Sequence, residues 1–317
     1  MSGEHLPVLP SETLAALSPA WQGQGPRRLV DATGGRGGHS ALLLAQLQLD
    51  DRLCIFDRDP SAVEALRARF ADDPRVDFVQ APFDALLGQL EARGWVGKVD
   101  GILADLGVSS PQLDEAERGF SFLRDGPLDM RMDPSQGESA AQWLATVDFS
   151  ELRRVLHEYG EERFATRIAR AILARRESAP WLRTRELADL IAELMPVGKG
   201  IHPATRTFQA LRIQINDELG QLERFLPQAL AALRPGGRMA IISFHSLEDR
   251  LVKRFFRAAD QRPDPRLPLR ADQLPPAPWI EISPAVRASA EEIDRNPRAR
   301  SAVLRAASKN PEYRHAS

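Results

Sequence analysis

The feature that most constrains the fold is a regular alternation of short apolar runs and helical patterns through the first 105 residues. Such alternation is typical of βαβ units, in which helices connect parallel strands and cover the sheet. The predicted strands are Arg28 to Ala32, Arg52 to Phe56, Val76 to Val79 and Asp100 to Ala104, and the predicted helices are Ser40 to Gln48, Ser61 to Phe70 and Asp84 to Arg93. We therefore expect a parallel sheet.

A glycine-rich turn follows the first predicted strand, with the sequence Asp31-Ala-Thr-Gly-Gly-Arg-Gly-Gly-His-Ser40. Glycines allow the backbone to approach a ligand, and the start of the next helix presents free N–H groups. The segment from Gly35 to Ser40 nearly matches G-x-G-x-x-G. On its own, the turn is compatible with an adenine dinucleotide, with S-adenosylmethionine, or with an ordinary βα connection.

An acid at the end of the second strand favours a nucleotide-binding turn. Asp57 follows Gly37 by about 20 residues, where a carboxylate can accept both hydroxyls of an adenosine ribose. Asp59-Pro60 is interpreted instead as the start of the next helix. The combination of glycine turn and Asp57 does not distinguish NAD from S-adenosylmethionine.

Three later features favour the methyl donor. Phe83 follows the third strand and could pack on an adenine face, with a core position as the alternative. Asp105 ends the fourth strand and opens a loop of small residues that reaches Gln112, at the sheet edge where open α/β sheets bind ligands. Arg-Pro-Gly-Gly237 before an apolar strand, with antiparallel pairing near the chain end, fits methyltransferases better than dehydrogenases.

The pattern changes after Gln112 to a loop and then to consecutive helices, with no strand candidate before Arg238. The predicted helices are Ser139 to Ala145, Phe149 to Tyr159, Glu161 to Arg176, Thr184 to Leu194 and one long helix from Thr205 to Leu233. This part of the chain is interpreted as a helical insertion, followed by a helix that returns to the sheet.

The C-terminal part resumes the sheet after a turn, Leu233 to Arg238. The remaining predicted elements are a strand at Met239 to Phe244, a helix from about Ser246 with a capping box formed by Ser246 and Asp249, an irregular proline-rich loop at 263–284, and a final antiparallel edge strand at Ser301 to Arg305.

The predicted fold is a Rossmann-like α/β domain of the class I methyltransferase type, with a mostly parallel twisted sheet, an antiparallel final strand and an inserted all-helical domain. We predict a discontinuous core, 1–113 with 206–317, that binds S-adenosylmethionine. Residues 114–205 are predicted to form the helical substrate-recognition domain.

Composition excludes several classes of protein. The net charge of −2, from 42 basic and 44 acidic residues, argues against a generally cationic coat for nucleic acid. The single cysteine, Cys54, lies in an apolar run and is interpreted as a core residue, since one cysteine allows no disulfide within the chain. No apolar run is long enough to span a membrane. A soluble, cytoplasmic protein is expected.

With these residues in place, the sequence closely resembles the RsmH (MraW) family of ribosomal small-subunit RNA cytosine-N4 methyltransferases. The resemblance spans nearly the whole chain. The matching stretches include His5 to Leu9 with Glu12, the glycine turn, Asp57 to Pro60, Asp105 to Asp114, Arg118 to Phe122, Asp125 to Asp133, Gly160 to Phe164, His202 to Ile213, Ser243 to Arg250 and Asn296 to Ala302.

The resemblance implies S-adenosylmethionine as donor, no metal, and a cytidine at the decoding centre of 16S ribosomal RNA as acceptor. It also implies a methyltransferase core with an inserted helical substrate domain. The implied contacts to S-adenosylmethionine are Gly37, Gly38, His39, Asp57, Phe83, Asp105 and Gln112.

Asp105 is also the predicted catalytic residue. The lone pair of cytosine N4 is delocalised into the ring, and acceptors placed at its hydrogens would favour the nucleophilic, pyramidal form. Many amino-methyltransferases have Asp/Asn-Pro-Pro-aromatic at this strand end, whereas this chain has Asp-Leu-Gly-Val108. Phe244 or His245 could instead stack on the target base. For His245, a polar residue before a helix cap is an equal alternative.

Two departures from the family pattern stand out. Gly34 occupies a position where the family usually has a bulky apolar residue, and we expect it to loosen the turn without removing a ligand. The usual lysine-proline stretch is here the proline-rich segment Leu274 to Pro278. The second departure puts the role of the C-terminal loop in doubt.

The helical insertion carries the basic excess that the whole chain lacks. From Arg163 to Arg212 there are ten Lys/Arg and four acids, a balance of +6. On a helix, Arg163, Arg167 and Arg170 share one face, with Phe164, Ile168 and Ile172 on another. The predicted RNA contacts are Arg163, Arg167, Arg206 and Arg212, with a solvated face as the alternative.

The predicted function is therefore N4-methylation of a cytidine in 16S ribosomal RNA, with the small ribosomal subunit as partner and no membrane. An NAD-dependent oxidoreductase, and a non-catalytic RNA-binding or assembly factor with the same fold, are the alternatives. A hydrolase built from Ser243, His245 and Asp249 is disfavoured, because the G-x-S-x-G elbow is missing. The oligomeric state stays open, with a homodimer as one alternative.

Overall fold

The computed structural model describes residues 7–22, 25–195, 202–257 and 276–313. The chain divides into two compact units, of which the first consists of Met1–Gly107 with Gly220–Ser317 and the second of Val108–Leu219. The predicted insertion, 114–205, lies within the second unit. That unit extends beyond residue 205 because the following helix contributes Phe208 and Leu211 to its core.

Within the described residues of the first unit, eight strands form one sheet. They are β1 Arg28–Asp31, β2 Arg52–Asp57, β3 Val76–Gln80, β4 Val99–Asp105, β5 Leu233–Ser243, β6 Trp279–Ile282, β7 Val286–Arg287 and β8 Val303–Lys309. The order across the sheet is β3-β2-β1-β4-β5-β8-β6, and β7 also pairs with β8. Strands β1 to β5 are parallel, and β8 runs antiparallel to β5. The predicted fold class is confirmed.

The helices connect these strands and build the second unit. They are α1 Pro10–Leu17, α2 Gly38–Leu44, α3 Pro60–Arg69, α4 Leu86–Glu91, α5 Ser110–Asp114, α6 Ala140–Thr146, α7 Phe149–Glu158, α8 Ala165–Ser178, α9 Thr184–Leu194, α10 Thr205–Asn216, α11 Glu218–Ala232, α12 Ser246–Arg257 and α13 Ala290–Arg295. As predicted, Asp59 caps α3, accepting a hydrogen bond from Ser61 N, and Pro60 is its first residue.

The sheet is covered on both faces, as a parallel sheet requires. Side chains alternate along each strand, so β1 contributes Val30 to one apolar layer and Leu29 to the other. Cys54 is buried in the first of these layers, in agreement with the prediction of a core residue. Asp31 has the same parity as Leu29. It therefore faces the layer that includes residues of α1 and α2.

The four N-terminal strands lie within one residue of their predicted limits. Strand β5 is longer than predicted, because the expected turn from Leu233 to Arg238 is a bulged part of the strand. Leu233 pairs with Val99, and the register shifts before Arg238 pairs with Gly101. Gly236, with φ of 75°, accommodates this irregularity.

Three predicted elements of the C-terminal half are corrected. The long helix from Thr205 to Leu233 is two helices, because Asp217 adopts a left-handed conformation with φ of 49° and ends α10. Strand β6 lies within the region predicted as a proline-rich loop, of which residues 263–275 fall outside the described part of the chain. Glu248, rather than Asp249, makes the capping hydrogen bonds at the start of α12.

The second unit is a helical bundle around its own apolar core. Amphipathic helices α7 to α10 supply Leu152, Ile168, Ile191 and Leu211 to this core. The predicted helix from Glu161 begins at Ala165, and Phe164 is 42% exposed instead of sharing the buried face of Ile168 and Ile172. Among the described residues, no helix has the length and apolarity needed to cross a bilayer.

Candidate active site

The glycine turn connects β1 to α2 with two residues in the left-handed region. Gly35 has φ of 53° and Gly37 has φ of 77°. A Cβ on Gly37 would lie 2.8 Å from Cε2 of Phe70, so both backbone conformation and packing require glycine there. Gly38 and His39 begin α2, and His39 is buried. The turn is thus held in a tight conformation beside the carboxyl end of β1.

Gly34 occupies a space that neighbouring side chains already fill. A Cβ at this position would lie 2.5 Å from Cγ2 of Ile55 and 2.7 Å from Cδ1 of Leu66. Its N–H donates to the carbonyl of Phe56 at 2.7 Å. The expectation that Gly34 loosens the turn is therefore wrong, because Ile55 and Leu66 take the volume of the larger residue that the family usually has.

Asp57 ends β2 and holds the glycine turn through its carboxylate. Oδ2 accepts a hydrogen bond from Gly35 N at 2.7 Å, and Oδ1 accepts one from Asp59 N at 2.8 Å. Burial raises the pKa of Asp57 to about 6, against the opposing effect of these two hydrogen bonds. Each carboxylate oxygen has a further lone pair. Asp57 can therefore accept ribose hydroxyls while it holds the turn.

Asp31 is a buried acid to which the sequence reasoning assigned no role. Its carboxylate accepts hydrogen bonds from Ser40 Oγ at 2.6 Å and Thr33 N at 3.2 Å. Burial raises the pKa of Asp31 to about 6. The available signal was an acid that ends a strand directly before a glycine turn. The Asp31 carboxylate thus joins the end of β1 to the first turn of α2.

Asp105 ends β4, next to the end of β1. Its backbone N–H donates to Thr33 Oγ1 at 2.6 Å, and Oδ2 lies 3.7 Å from Nε2 of His39. Oδ1 has no hydrogen-bond partner among the described residues. Burial raises the pKa of Asp105 well above the usual carboxyl range, and the charges of Asp31 and Glu248 raise it further. The structure therefore brings Asp105 together with His39 and the glycine turn.

Phe244 and His245 follow β5, the strand next to β4. The chain stays paired with β5 just beyond the end of β4, because Leu106 N donates to the carbonyl of Ile242 at 2.9 Å. The ring of Phe244 lies 3.4 Å from the position that a Cβ on Gly107 would take. His245 Nε2 lies 3.2 Å from Glu248 Oε1. Both predicted base-stacking candidates thus lie at the same edge of the sheet as Asp105.

Phe83 follows β3 in a short turn, at the opposite side of the glycine turn from β4. It is partly buried and packs edge to face on Phe225, with ring centroids 5.1 Å apart. One side of the Phe83 ring is therefore packed in the core, as the alternative prediction expected. Contact with an adenine stays a prediction.

Gln112 belongs to the second unit. It is buried, and its Oε1 accepts a hydrogen bond from Ser109 N at 2.9 Å, forming a capping box at the start of α5. The predicted contact of Gln112 with S-adenosylmethionine stays a prediction.

The four predicted RNA-binding arginines have different environments in the second unit. Arg163 and Arg167 are exposed near the start of α8, and Arg206 is exposed and donates to the carbonyl of Glu161 at 3.2 Å. Arg212 forms a two-bonded ion pair with Glu218, with both N–O distances 2.8 Å. Because Glu218 compensates its charge, Arg212 is the least suited of the four to bind phosphate.

Comparison with known proteins identifies the family. The model of the MraW methylase family matches residues 2–310. The chain belongs to the MraW methylase family. It is 62% identical over 310 residues to "Ribosomal RNA small subunit methyltransferase H" of Acidithiobacillus ferrooxidans, covering 98% of this chain and 96% of that protein. The protein of the same name from Shewanella oneidensis is 53% identical over 307 residues, covering 96% of each chain.

A solved structure that resembles this chain is more distant in sequence. An rRNA methylase of Streptococcus thermophilus covers 94% of this chain and 95% of its own, with 11% sequence identity and a TM-score of 0.39. With this identity and TM-score, the likeness supports no conclusion about function. Family membership instead decides between the predicted enzyme classes: the chain is an S-adenosylmethionine-dependent methyltransferase, and the NAD-dependent oxidoreductase is not supported.

The charge of the site fits S-adenosylmethionine. Asp31, Asp57 and Asp105 end three adjacent strands, and the pKa of each is raised mainly by burial. Buried carboxyl groups with raised pKa values are stabilised in their charged form by a cationic ligand. S-adenosylmethionine carries a sulfonium and an ammonium group. One edge of the sheet therefore offers three carboxyl groups whose charged forms a cationic ligand would stabilise.

Proposed function

We propose that this protein transfers a methyl group from S-adenosylmethionine to the exocyclic N4 of a cytidine in the decoding centre of 16S ribosomal RNA. The observation that carries the proposal is the 62% identity, over nearly the full length, to a ribosomal RNA small subunit methyltransferase H. The carboxyl groups along the edge of the sheet support the chemistry. The proposed partner is the small ribosomal subunit, and the proposed location is the cytoplasm.

In this proposal the cofactor contacts are those implied by the family resemblance, in the glycine turn, at the ends of the strands and at Gln112. Asp57 would hold the ribose hydroxyls, and the turn residues Gly37, Gly38 and His39 would hold S-adenosylmethionine. When bound, S-adenosylmethionine supplies an electrophilic methyl group on its sulfonium sulfur. The protein supplies position and charge, which can account for much of the acceleration of an in-line transfer.

Asp105 has the central role in this mechanism. Its Oδ1, which has no hydrogen-bond partner among the described residues, can accept a hydrogen bond from the exocyclic amine. That contact orients the amine, favours its pyramidal form and stabilises the positive charge that develops on nitrogen during attack. Phe244 is the proposed stacking partner of the base, because its ring lies beside Gly107, where no Cβ intervenes.

The direct test is methyl incorporation into purified small subunits from cells that lack this gene. We expect one methyl group per subunit, and mass spectrometry should locate it on cytidine N4. Subunits from wild-type cells are the matched control, because they already carry the modification and should accept no further methyl group. Binding of subunits without incorporation would instead indicate a non-catalytic assembly factor.

The exposed arginines of α8 are expected to contribute to RNA affinity. Neutralising Arg163 and Arg167 together should weaken binding of small subunits and reduce the slope of log affinity against log salt by about 1 per lost phosphate contact. The measurement is a binding titration at several salt concentrations. Arg52→Gln, an exposed arginine at the amino end of β2, is the matched control. An unchanged slope in the double variant would favour a merely solvated face.

A further inference from the structure

His245 and Glu248 form a buried pair at the carboxyl edge of the sheet. His245 follows the end of β5, and Glu248 lies in the first turn of α12. The side chains are 10% and 3% exposed, and His245 Nε2 lies 3.2 Å from Glu248 Oε1. A histidine beside a buried carboxylate is a common arrangement for a proton acceptor, because the carboxylate stabilises the imidazolium that forms.

Glu248 is held in place by the backbone. Its Oε2 accepts hydrogen bonds from Phe244 N at 2.8 Å and from His245 N at 3.3 Å, which fixes the carboxylate at the start of α12. Oε1 is the oxygen that faces the imidazole. Glu248 thus caps the helix with one oxygen and presents the other to His245.

The ring nitrogens of His245 are unsatisfied by the described residues of the ligand-free protein. Both ring nitrogens are buried and make no hydrogen bond to any residue that the structure describes. An unsatisfied buried polar group is costly unless a ligand completes it. Since Nε2 faces Glu248, Nδ1 is the nitrogen left for a ligand.

The pair lies close to the proposed reaction centre. Glu248 is near enough to Asp105 for its charge to raise the pKa of that residue. The two strands that carry Asp105 and His245 are neighbours, with Asp105 paired to Ile242. Asp105 and the His245–Glu248 pair therefore lie at the same edge of the sheet.

We propose that His245, oriented by Glu248, is the proton acceptor for the methylated amine. This role rests on the proposed function. The nitrogen lone pair forms the new C–N bond, the sulfur keeps the electron pair of the broken S–C bond, and the amine becomes cationic. His245 Nδ1 then takes one proton from this nitrogen, while Nε2–H faces Glu248. Asp105 orients the amine.

Two substitutions of His245 separate proton transfer from base stacking. His245→Phe keeps an aromatic face but has no nitrogen, and His245→Asn keeps a polar group without basicity. With purified small subunits and S-adenosylmethionine, we expect both to lower kcat by about a hundredfold, as for loss of a general base. The KM for S-adenosylmethionine should stay within about threefold of the wild-type value. Added imidazole should restore activity to His245→Gly.

Glu248→Gln tests the orienting carboxylate. Its amide oxygen can keep the two capping hydrogen bonds, so the variant should fold and bind S-adenosylmethionine while kcat falls about tenfold. The matched control is Asp249→Asn, which removes a neighbouring carboxylate that binds Arg305 instead. We expect that control to retain its kcat.

Calorimetric binding of S-adenosylmethionine by each variant verifies that the site is intact. If His245→Phe turns over within about threefold of the wild type, His245 stacks on the base and the proton-transfer role is wrong. Failure of imidazole to restore His245→Gly would count against the role as well. If the wild-type enzyme methylates no subunit, the proposed function is wrong and this role falls with it. If the wild type and the His245 variants are all active, only the proton-transfer role is wrong.

Discussion

Asp105→Asn is expected to lower kcat for methyl transfer by at least about a hundredfold, since the variant loses the charge that stabilises the developing cation on the amine. The amide keeps the shape of the carboxylate, and the backbone bond to Thr33 Oγ1 does not involve the side chain. The fold should therefore be unchanged. Single-turnover kinetics at saturating S-adenosylmethionine measure the chemical step apart from binding.

The matched control for Asp105→Asn is Asp100→Asn at the other end of the same strand, where the carboxylate binds Arg234 at 2.6 Å instead of facing the site. That variant should keep the wild-type rate once folded. A near-normal rate for Asp105→Asn or Asp105→Ala would contradict the assignment of Asp105 as the catalytic residue.

Asp31→Asn is expected to change the pH dependence of stability. Because burial raises the pKa of Asp31 from 3.8 to about 6 in the folded protein, the wild type loses stability as the pH rises through this range. The shift of about two units corresponds to about 3 kcal/mol. Asparagine does not titrate, so the stability of the variant relative to the wild type should increase by about 2 kcal/mol between pH 4 and pH 7, because at pH 4 the carboxyl of the unfolded chain is already about half ionised.

Urea unfolding of the ligand-free proteins at several pH values measures this difference. Any constant effect of losing a hydrogen bond to Ser40 cancels between the two pH values. Asp50→Asn, at an exposed acid, is the control. Its unfolding free energy should differ from that of the wild type by the same amount at both pH values. A relative stability of Asp31→Asn that does not change with pH would show that folding does not raise the pKa of Asp31.

The stability gain of Asp31→Asn should be accompanied by weaker binding of S-adenosylmethionine. A buried carboxylate that costs stability without a ligand is a frequent property of functional sites. The three acids at the ends of β1, β2 and β4 share this property, since burial raises the pKa of each. Binding of a cation would stabilise their charged forms.

Much of the fold was predictable because its signals are local. The strand limits near Arg28, Arg52 and Val76 follow from short apolar runs, and the capping of α3 follows from Asp59-Pro60. The prediction of one long helix was wrong because the amphipathic pattern continues through Asp217, whereas the left-handed backbone of Asp217 ends the helix there. Strand β6 was missed because its pairing partner, β8, is distant in sequence.

The candidate site was predictable in part. Asp57 and Asp105 could be identified because the ends of parallel strands meet at one edge of the sheet. Asp31 and Glu248 were not identified: the position of Asp31 before the glycine turn was a signal that went unused, and Glu248 is distinguished by its burial and its proximity to other acids. The volume beside Gly34 is likewise filled by Ile55 and Leu66, which come from other elements.

The sequence by itself determined the family, the donor, the mostly parallel sheet and the residue types at the ends of its strands, because each depends on local motifs read in order along the chain. Only the tertiary structure decided which acids are buried together, that Glu218 compensates Arg212, and that Glu248 presents an oxygen to His245. Burial and charge pairing are sums over residues distant in sequence. No local pattern contains them.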